Sequence, residues 1–416
     1  IGYRAGYKNR LSDTSYNTFI GNSAGRENTS GNDNTYIGNG AGYGVDAGHG
    51  DNNTAVGKYA IFHILGDNTT AIGNEAGYYA SGSSNTFLGS EAGKGGTTSA
   101  PYSSGHENVA IGYAAFDAFT TAQQNVAIGY DALGKETIGH TSVAIGYRAG
   151  SQQIFGSAAA TNNTMVGSSA GFWNVTGTGN TYIGNASGTG ASGQSNNNNT
   201  AVGNSALQNI TTGHSNVALG GGAGNDITTG HENTIVGYLA GEKVTTADNN
   251  VIMGFQAGQS LTSARYNVLI GDGAGKNLTT QNGNNENVFI GNLAGEKADE
   301  DGDGVNQSAT DNVYIGSNAG RYLDDGAYNV IIGKEAGKSS SGTQRNAIRN
   351  VILGMEAAYD ITTGDDNVIL GYQAGDEITS APRNTLIGYQ AGDTLTNGEQ
   401  NILIGYGADV NSNAGS

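Results

Sequence analysis

One unit recurs along the whole chain: Asn-[Thr/Val]-apolar-[Ile/Val/Leu/Met]-Gly-x-x-Ala-Gly, as at Asn384–Gly392. It is present in 23 copies, whose central glycines run from Gly2 to Gly405. Twelve of the 22 spacings are 17 residues, and the others range from 16 to 25. Three residues after the central glycine stands Ala in 22 copies and Ser187 in the other. Four residues after it stands Gly in 17 copies. A fixed core separated by stretches of variable length is the pattern of a solenoid, in which each copy forms one rung and extra residues loop outward. The core is too short for a helix and suits a short strand. Its Thr, Val, Ile, Tyr and Phe residues are strand formers. The expected fold is all-β: a parallel β-solenoid of about 23 rungs, mostly of 17 residues. At about 4.8 Å per rung it would be a rod roughly 100 Å long.

Composition excludes the competitors. With 71 Gly among 416 residues, a mostly helical chain is ruled out. Two Pro and no Gly-X-Y period exclude collagen. The 22 Tyr, 9 Phe and regular Ile and Val oppose plain disorder. No Cys is present, so neither a disulfide scaffold nor a thiolate metal site can form. A net charge of −18 repels nucleic acid and anionic lipid. No apolar run is long enough to cross a bilayer as a helix, and no membrane contact is expected from this segment. Residues 1–416 read as one continuous repeat region, an excerpt of a longer chain. Loop insertions fall near 94–107, 151–162, 296–311 and 338–349.

Within the rung, Asn precedes each strand, with Thr69 and Ser142 as exceptions. Identical amides stacked at strand spacing can hydrogen-bond in a ladder. A weaker apolar position seven residues after the glycine, as in Ile210-Thr211-Thr212 and Ile361-Thr362-Thr363, reads as a second short strand. Side chains alternate along a strand. In Asn267-Val268-Leu269-Ile270, Val268 and Ile270 would line the interior and Leu269 would face out. The middle position is nevertheless uncharged and apolar throughout: Phe19, Tyr36, Ala55, Phe87, Ile235, Leu269 and Leu403 are examples. A stripe of this length exceeds what a soluble monomer exposes. It is expected to face sister chains, closed by cyclic symmetry. The competing expectation is a single-chain solenoid whose loops cover the stripe.

Asn-Val-Ala-Ile-Gly at Asn108–Gly112 and Asn125–Gly129, followed by x-x-Ala, resembles the head repeats of YadA-like trimeric autotransporter adhesins. Val143-Ala144-Ile145-Gly146 matches with Ser142 in the Asn slot. The resemblance spans the chain. It implies a left-handed β-roll of three intertwined chains, a homotrimeric rod displayed on a bacterial surface to bind a host, cell-surface or matrix protein or glycan. The unit here is longer than the usual head unit, and its Ala-Gly pair is more regular. Similar repeats occur in tail fibres of phages and related injection machines.

No catalytic motif is present, and no enzyme is expected. No Gly-x-Ser-x-Gly elbow, His-Glu-x-x-His or Walker loop exists. His106, His214 and His231 share one slot, two residues before the rung Asn, which points to a structural position at the surface. The 25-residue rung carries Asp299-Glu300-Asp301-Gly302-Asp303-Gly304-Val305. Asp at alternating positions followed by Gly is the first half of a calcium loop, so Asp299, Asp301, Asp303 and Val305 are the candidate calcium ligands. The twelfth-position Glu is missing, since Thr310 stands there, and a solvated acidic loop is the competing reading. Tyr often follows the central glycine, as in Tyr113, Tyr130, Tyr147, Tyr372, Tyr389 and Tyr406. Such a row packs as a ladder or binds sugars and proteins by stacking. Recurrent Thr-Thr pairs raise ice binding, against which the variable loop lengths count. A sugar-cleaving solenoid would need recurrent carboxylates on one face, and none recur. The expected role is an extracellular, cell-surface fibre or adhesin segment. The alternative is the tail or receptor-binding fibre of a phage or contractile injection machine.

Overall fold

A computed structural model describes residues 1–9, 15–44, 49–99, 102–279, 286–298, 309–339 and 345–410. They form an all-β parallel solenoid, with no helix among the described residues. The chain divides into two compact units, Ile1–Ser205 and Ala206–Ser416. The first holds eleven three-residue strands, from Thr18–Ile20 to Thr200–Val202. The second holds eleven, from Val217–Leu219 to Ile402–Ile404. Within each unit every strand pairs in parallel with the next. Equivalent residues align, as in Val268↔Val288, Leu269↔Phe289 and Ile270↔Ile290.

The corner after each strand depends on glycine. Gly254 has φ +139°, and a Cβ there would stand 2.3 Å from the carbonyl oxygen of Gly271 on the next rung. Only a residue without a side chain allows the backbones this approach. Single left-handed residues recur on both sides of the strand. Gln256, after the strand Val251–Met253, and Asn249, in the turn before it, have φ of 52° and 60° without being glycine. Such residues cost of order 1 kcal/mol each and persist because neighbouring rungs hold them.

The structure reverses the expected inside and outside of the strand. The middle residue points into the chain's own core: Tyr36, Phe87, Ile235, Leu269 and Tyr314 are fully buried. Val268 and Ile270 are the partly exposed pair. The wall opposite the strand explains the reversal. The Ala three residues after the glycine and the apolar residue seven after it both point inward, as Ala274 and Leu278 do. A regular rung such as that of Leu269, Ala274 and Leu278 therefore encloses one strand residue, one Ala and one further apolar side chain, and the flanking pair is left outside.

The weaker apolar position is not a strand among the described residues. The N–H groups of Thr211, Thr212 and Gly213 converge on one carbonyl, that of Thr228, at 2.9, 3.2 and 3.1 Å. Thr362, Thr363 and Gly364 do the same to Thr379. Converging donors bend the backbone, whereas a strand would alternate them.

The buried asparagines form the amide ladder. Asn250 Nδ2 donates to Asn233 Oδ1 at 3.0 Å and to the Ala264 carbonyl at 2.9 Å. Its own Oδ1 accepts from the Asn267 backbone N–H at 2.9 Å and from Asn267 Nδ2 at 3.0 Å. In the second unit this continues to Asn401 on Asn384. Ser142 interrupts it in the first unit, and the insertion at 151–162 repairs the gap. Gln153, fully buried, donates its Nε2 to Ser142 Oγ and to Glu136 Oε2, each at 3.0 Å. Its Oε1 accepts from Asn163 Nδ2 at 3.0 Å.

Candidate functional site: the outward face of the sheet

Because the middle residue turns inward, its two neighbours build the outer surface of each strand. The first row is Thr or Val, with Ile402 at its end. The second is Ile, Val, Leu or Met. No charged residue occurs in either row among the described strands. The second row is substantially open to solvent: Ile72 is 40% exposed, Leu88 45% and Met253 39%. Eleven strands about 4.8 Å apart, with two side-chain rows on each, give roughly 500 Å² of apolar surface per unit. That is at the upper end of what monomeric soluble proteins expose. The apolar stripe read in the sequence therefore exists, but it consists of the flanking residues, not of the middle ones. Its physical origin is β-branched and aliphatic packing along a parallel sheet.

Tyrosines border this face. Tyr113, Tyr130 and Tyr147 stack with centroids 5.6 and 5.2 Å apart. Tyr372, Tyr389 and Tyr406 stack at 5.3 and 4.9 Å. Within each run the rings cover one another's faces, so solvent meets mainly edges and hydroxyls except at the run's ends. This is the ladder arrangement; a sugar stacking flat on the row would need open ring faces.

A second aromatic group is legible only from copies set side by side. Tyr43, Phe62 and Tyr78 stack at 4.6 and 5.0 Å. His63 and Tyr79 stack beside them at 5.2 Å, with Tyr102 against His63 at 4.2 Å. Aromatic residues five and six positions after the glycine in successive copies are the signal that could have found it.

The histidine slot is a hydrogen-bonding corner. At several rungs its side chain accepts the backbone N–H of the preceding rung's slot residue, although His231 Nδ1 makes no such bond. Asp51 Oδ1 accepts from Asn32 at 2.7 Å, His140 Nδ1 from Gln123 at 3.1 Å and Asp365 Oδ1 from Ile348 at 2.9 Å. His140 thus belongs to the slot read for His106, His214 and His231. The Thr pairs are likewise internally engaged: Thr228 Oγ1 donates to the Thr245 carbonyl and Thr245 Oγ1 to that of Thr262, both at 3.1 Å. The candidate calcium ligands Asp299, Asp301, Asp303 and Val305 lie outside the described residues. Among the described residues, no group of three or more His, Cys, Asp or Glu is placed to hold a metal ion.

No protein-family model and no curated protein matches the chain.

Proposed function

We propose that the protein is a non-enzymatic structural segment, a β-solenoid fibre whose copies associate as a homotrimer through the outward sheet face. In this reading the fibre is extracellular and projects a binding surface for a cell-surface or matrix ligand from a bacterial cell. The observation that carries it is the pair of uncharged outward rows, Val251, Val268 and Val288 beside Met253, Ile270 and Ile290. Water-facing apolar rows of this regularity favour association. A face repeated identically on every rung suits parallel copies related by a rotation axis, because one contact then repeats along the whole stack. The resemblance of Asn108–Gly112 to adhesin head repeats supports three chains and surface display.

Sedimentation equilibrium of the full chain tests it. The expected mass is three chains for the native sequence and one for Met253→Lys/Ile270→Lys, with the far-ultraviolet spectrum unchanged because both positions face outward. A native chain that sediments as a monomer at micromolar concentration overturns the reading. Leu269→Asp, one residue away, is expected to unfold the rung instead of merely separating copies.

A further inference from the structure

We infer that His214 and His231 form a two-imidazole clamp for a divalent transition-metal ion of the zinc, nickel or copper class. The two residues occupy the same slot on adjacent rungs of the second unit, and their rings lie parallel, with centroids 4.7 Å apart and planes 13° from each other. Their backbones are pinned at rung spacing: Glu232 N–H donates to the His214 carbonyl and Asn249 N–H to that of His231, both at 3.1 Å. Two imidazoles presented side by side at hydrogen-bonded corners of adjacent rungs pay little ordering cost on binding.

Polar groups stand beside each ring's Nδ1. His214 Nδ1 lies 3.4 Å from Ser215 Oγ. His231 Nδ1 is buried and lies 3.5 Å from Asp248 Oδ1. Asp248 is itself fixed, accepting the His231 backbone N–H at 3.0 Å and pairing with Arg265 Nε at 3.1 Å. A carboxylate behind one ring nitrogen is the arrangement that holds a metal-binding histidine in one tautomer and orientation. With Nδ1 of each ring beside a protein group, Nε2 is assigned as the ligating atom. Metal–nitrogen bonds of about 2.0–2.1 Å put two ligating nitrogens about 3–4 Å apart. Ligation of one ion therefore requires the two rings to turn out of their parallel stack about their side-chain torsions, the backbones staying at rung spacing. Water completes the coordination sphere. Imidazole donors select this class of ion over calcium or magnesium, which prefer oxygen.

The other slot histidines make no such pair. Gln123 stands on the rung between His106 and His140, and His140 Nδ1 already accepts a backbone N–H. They supply the control.

Calorimetric titration of the full chain with Ni²⁺ and electron paramagnetic resonance with one equivalent of Cu²⁺ test the assignment. The native chain is expected to bind one ion per chain in its tightest class, with a spectrum showing two imidazole nitrogens. His214→Gln and His231→Gln should each weaken that class at least tenfold, and His140→Gln should leave it unchanged. Asp248→Asn should weaken it about tenfold while keeping the stoichiometry, as loss of an orienting carboxylate does. A His214→Gln/His231→Gln chain with the native isotherm overturns the proposal. If that variant fails to fold, the native Cu²⁺ spectrum decides, and a spectrum without two nitrogen ligands overturns it.

Discussion

Phe87 fills the space in which a side chain on Gly93 would stand: a Cβ there would lie 2.1 Å from Cδ1 of the ring. The same holds for Tyr182 and Gly188, where the separation is 2.5 Å. Four rungs that carry Ala in the middle of the strand invert the relation. Ala55, Ala110, Ala127 and Ala201 are matched by Ile61, Phe116, Leu133 and Leu207 at the glycine's position, all fully buried. One interior volume is filled from either side. Phe87→Ala alone is expected to cost about 3–5 kcal/mol as a cavity, and Gly93→Leu alone to overpack the rung by about 1–3 kcal/mol or more. The double variant recreates the Ala127–Leu133 arrangement and should recover about 1–3 kcal/mol relative to the sum of the single effects. Guanidinium unfolding of the four chains measures this, and strictly additive losses would refute a shared volume.

That compensation also shows what is legible in the sequence. The period, the strand positions and the Asn column can be read directly, because each residue type has a local reason to sit where it does. Alternation along Asn267–Ile270 separates two faces but does not say which one is enclosed. The signal that decides it is the residue four after the glycine, which is large and apolar only in rungs whose middle strand residue is Ala, as at Ile61, Phe116, Leu133 and Leu207. Only side chains sharing an interior adjust to each other in this way. The bending of Thr211-Thr212-Gly213 around one carbonyl is not legible, since Thr is as much a strand residue as a turn residue. Neither is the role of Gln153, which sits in an insertion without a period. The outward apolar face is present in the sequence as a pattern, but alternation alone does not say which row forms it.

Within the amide column, Asn250 both donates and accepts, so its loss leaves buried groups on both sides without partners. Asn250→Ala orphans the Asn267 backbone N–H and the Ala264 carbonyl. Each buried orphan costs about 1–3 kcal/mol, so a loss of several kcal/mol is expected. Asn250→Asp should be worse at neutral pH, because a carboxylate would face Asn233 Oδ1 in place of a donor. Hydrogen exchange of the Asn267 and Val251 amides, with protection falling most in the aspartate variant, checks the order. Equal protection in all three chains would count against the ladder.

A buried histidine and a half-buried aspartate in the first unit make stability depend on pH with opposite signs. Burial lowers His49 to about 4 from an ordinary 6.5. Between pH 6.5 and 4 the unfolded chain therefore binds the extra proton, and stability present above 6.5 is lost as pH falls, by about 3 kcal/mol in all. Burial, and then the charge of Asp131, raise Asp117 to about 6 from 3.8. Here the folded chain holds the extra proton, so stability falls as pH rises from about 4 to 6. His49→Leu should flatten the acid loss. Asp117→Asn should stabilise the protein above pH 6 and make no difference below pH 4. Thermal melts from pH 3.5 to 8 distinguish these outcomes, and parallel curves for the three chains would contradict both assignments.

At Ser142 the ladder survives only because Gln153 reaches in from an insertion. Glu136 accepts the backbone N–H groups of Ile138 and Gly139 through Oε1, at 3.1 and 2.6 Å, and leaves Oε2 for Gln153. Gln153→Leu keeps the volume but strips partners from Glu136 Oε2, Ser142 Oγ and Asn163 Nδ2, three polar atoms on fully or almost fully buried residues. A buried carboxylate without its donor is the costliest of the three, so a loss of at least about 3 kcal/mol is expected. Ser142→Asn alone should also destabilise, because the new amide and that of Gln153 compete for one place. Combined as Ser142→Asn/Gln153→Ala, the amide introduced in place of the serine restores the regular column between Asn125 and Asn163, and the double variant should exceed Gln153→Leu in stability. Urea midpoints of these variants measure the order. A double variant no more stable than Gln153→Leu would mean that Gln153 acts through Glu136 and not as the missing amide of the ladder.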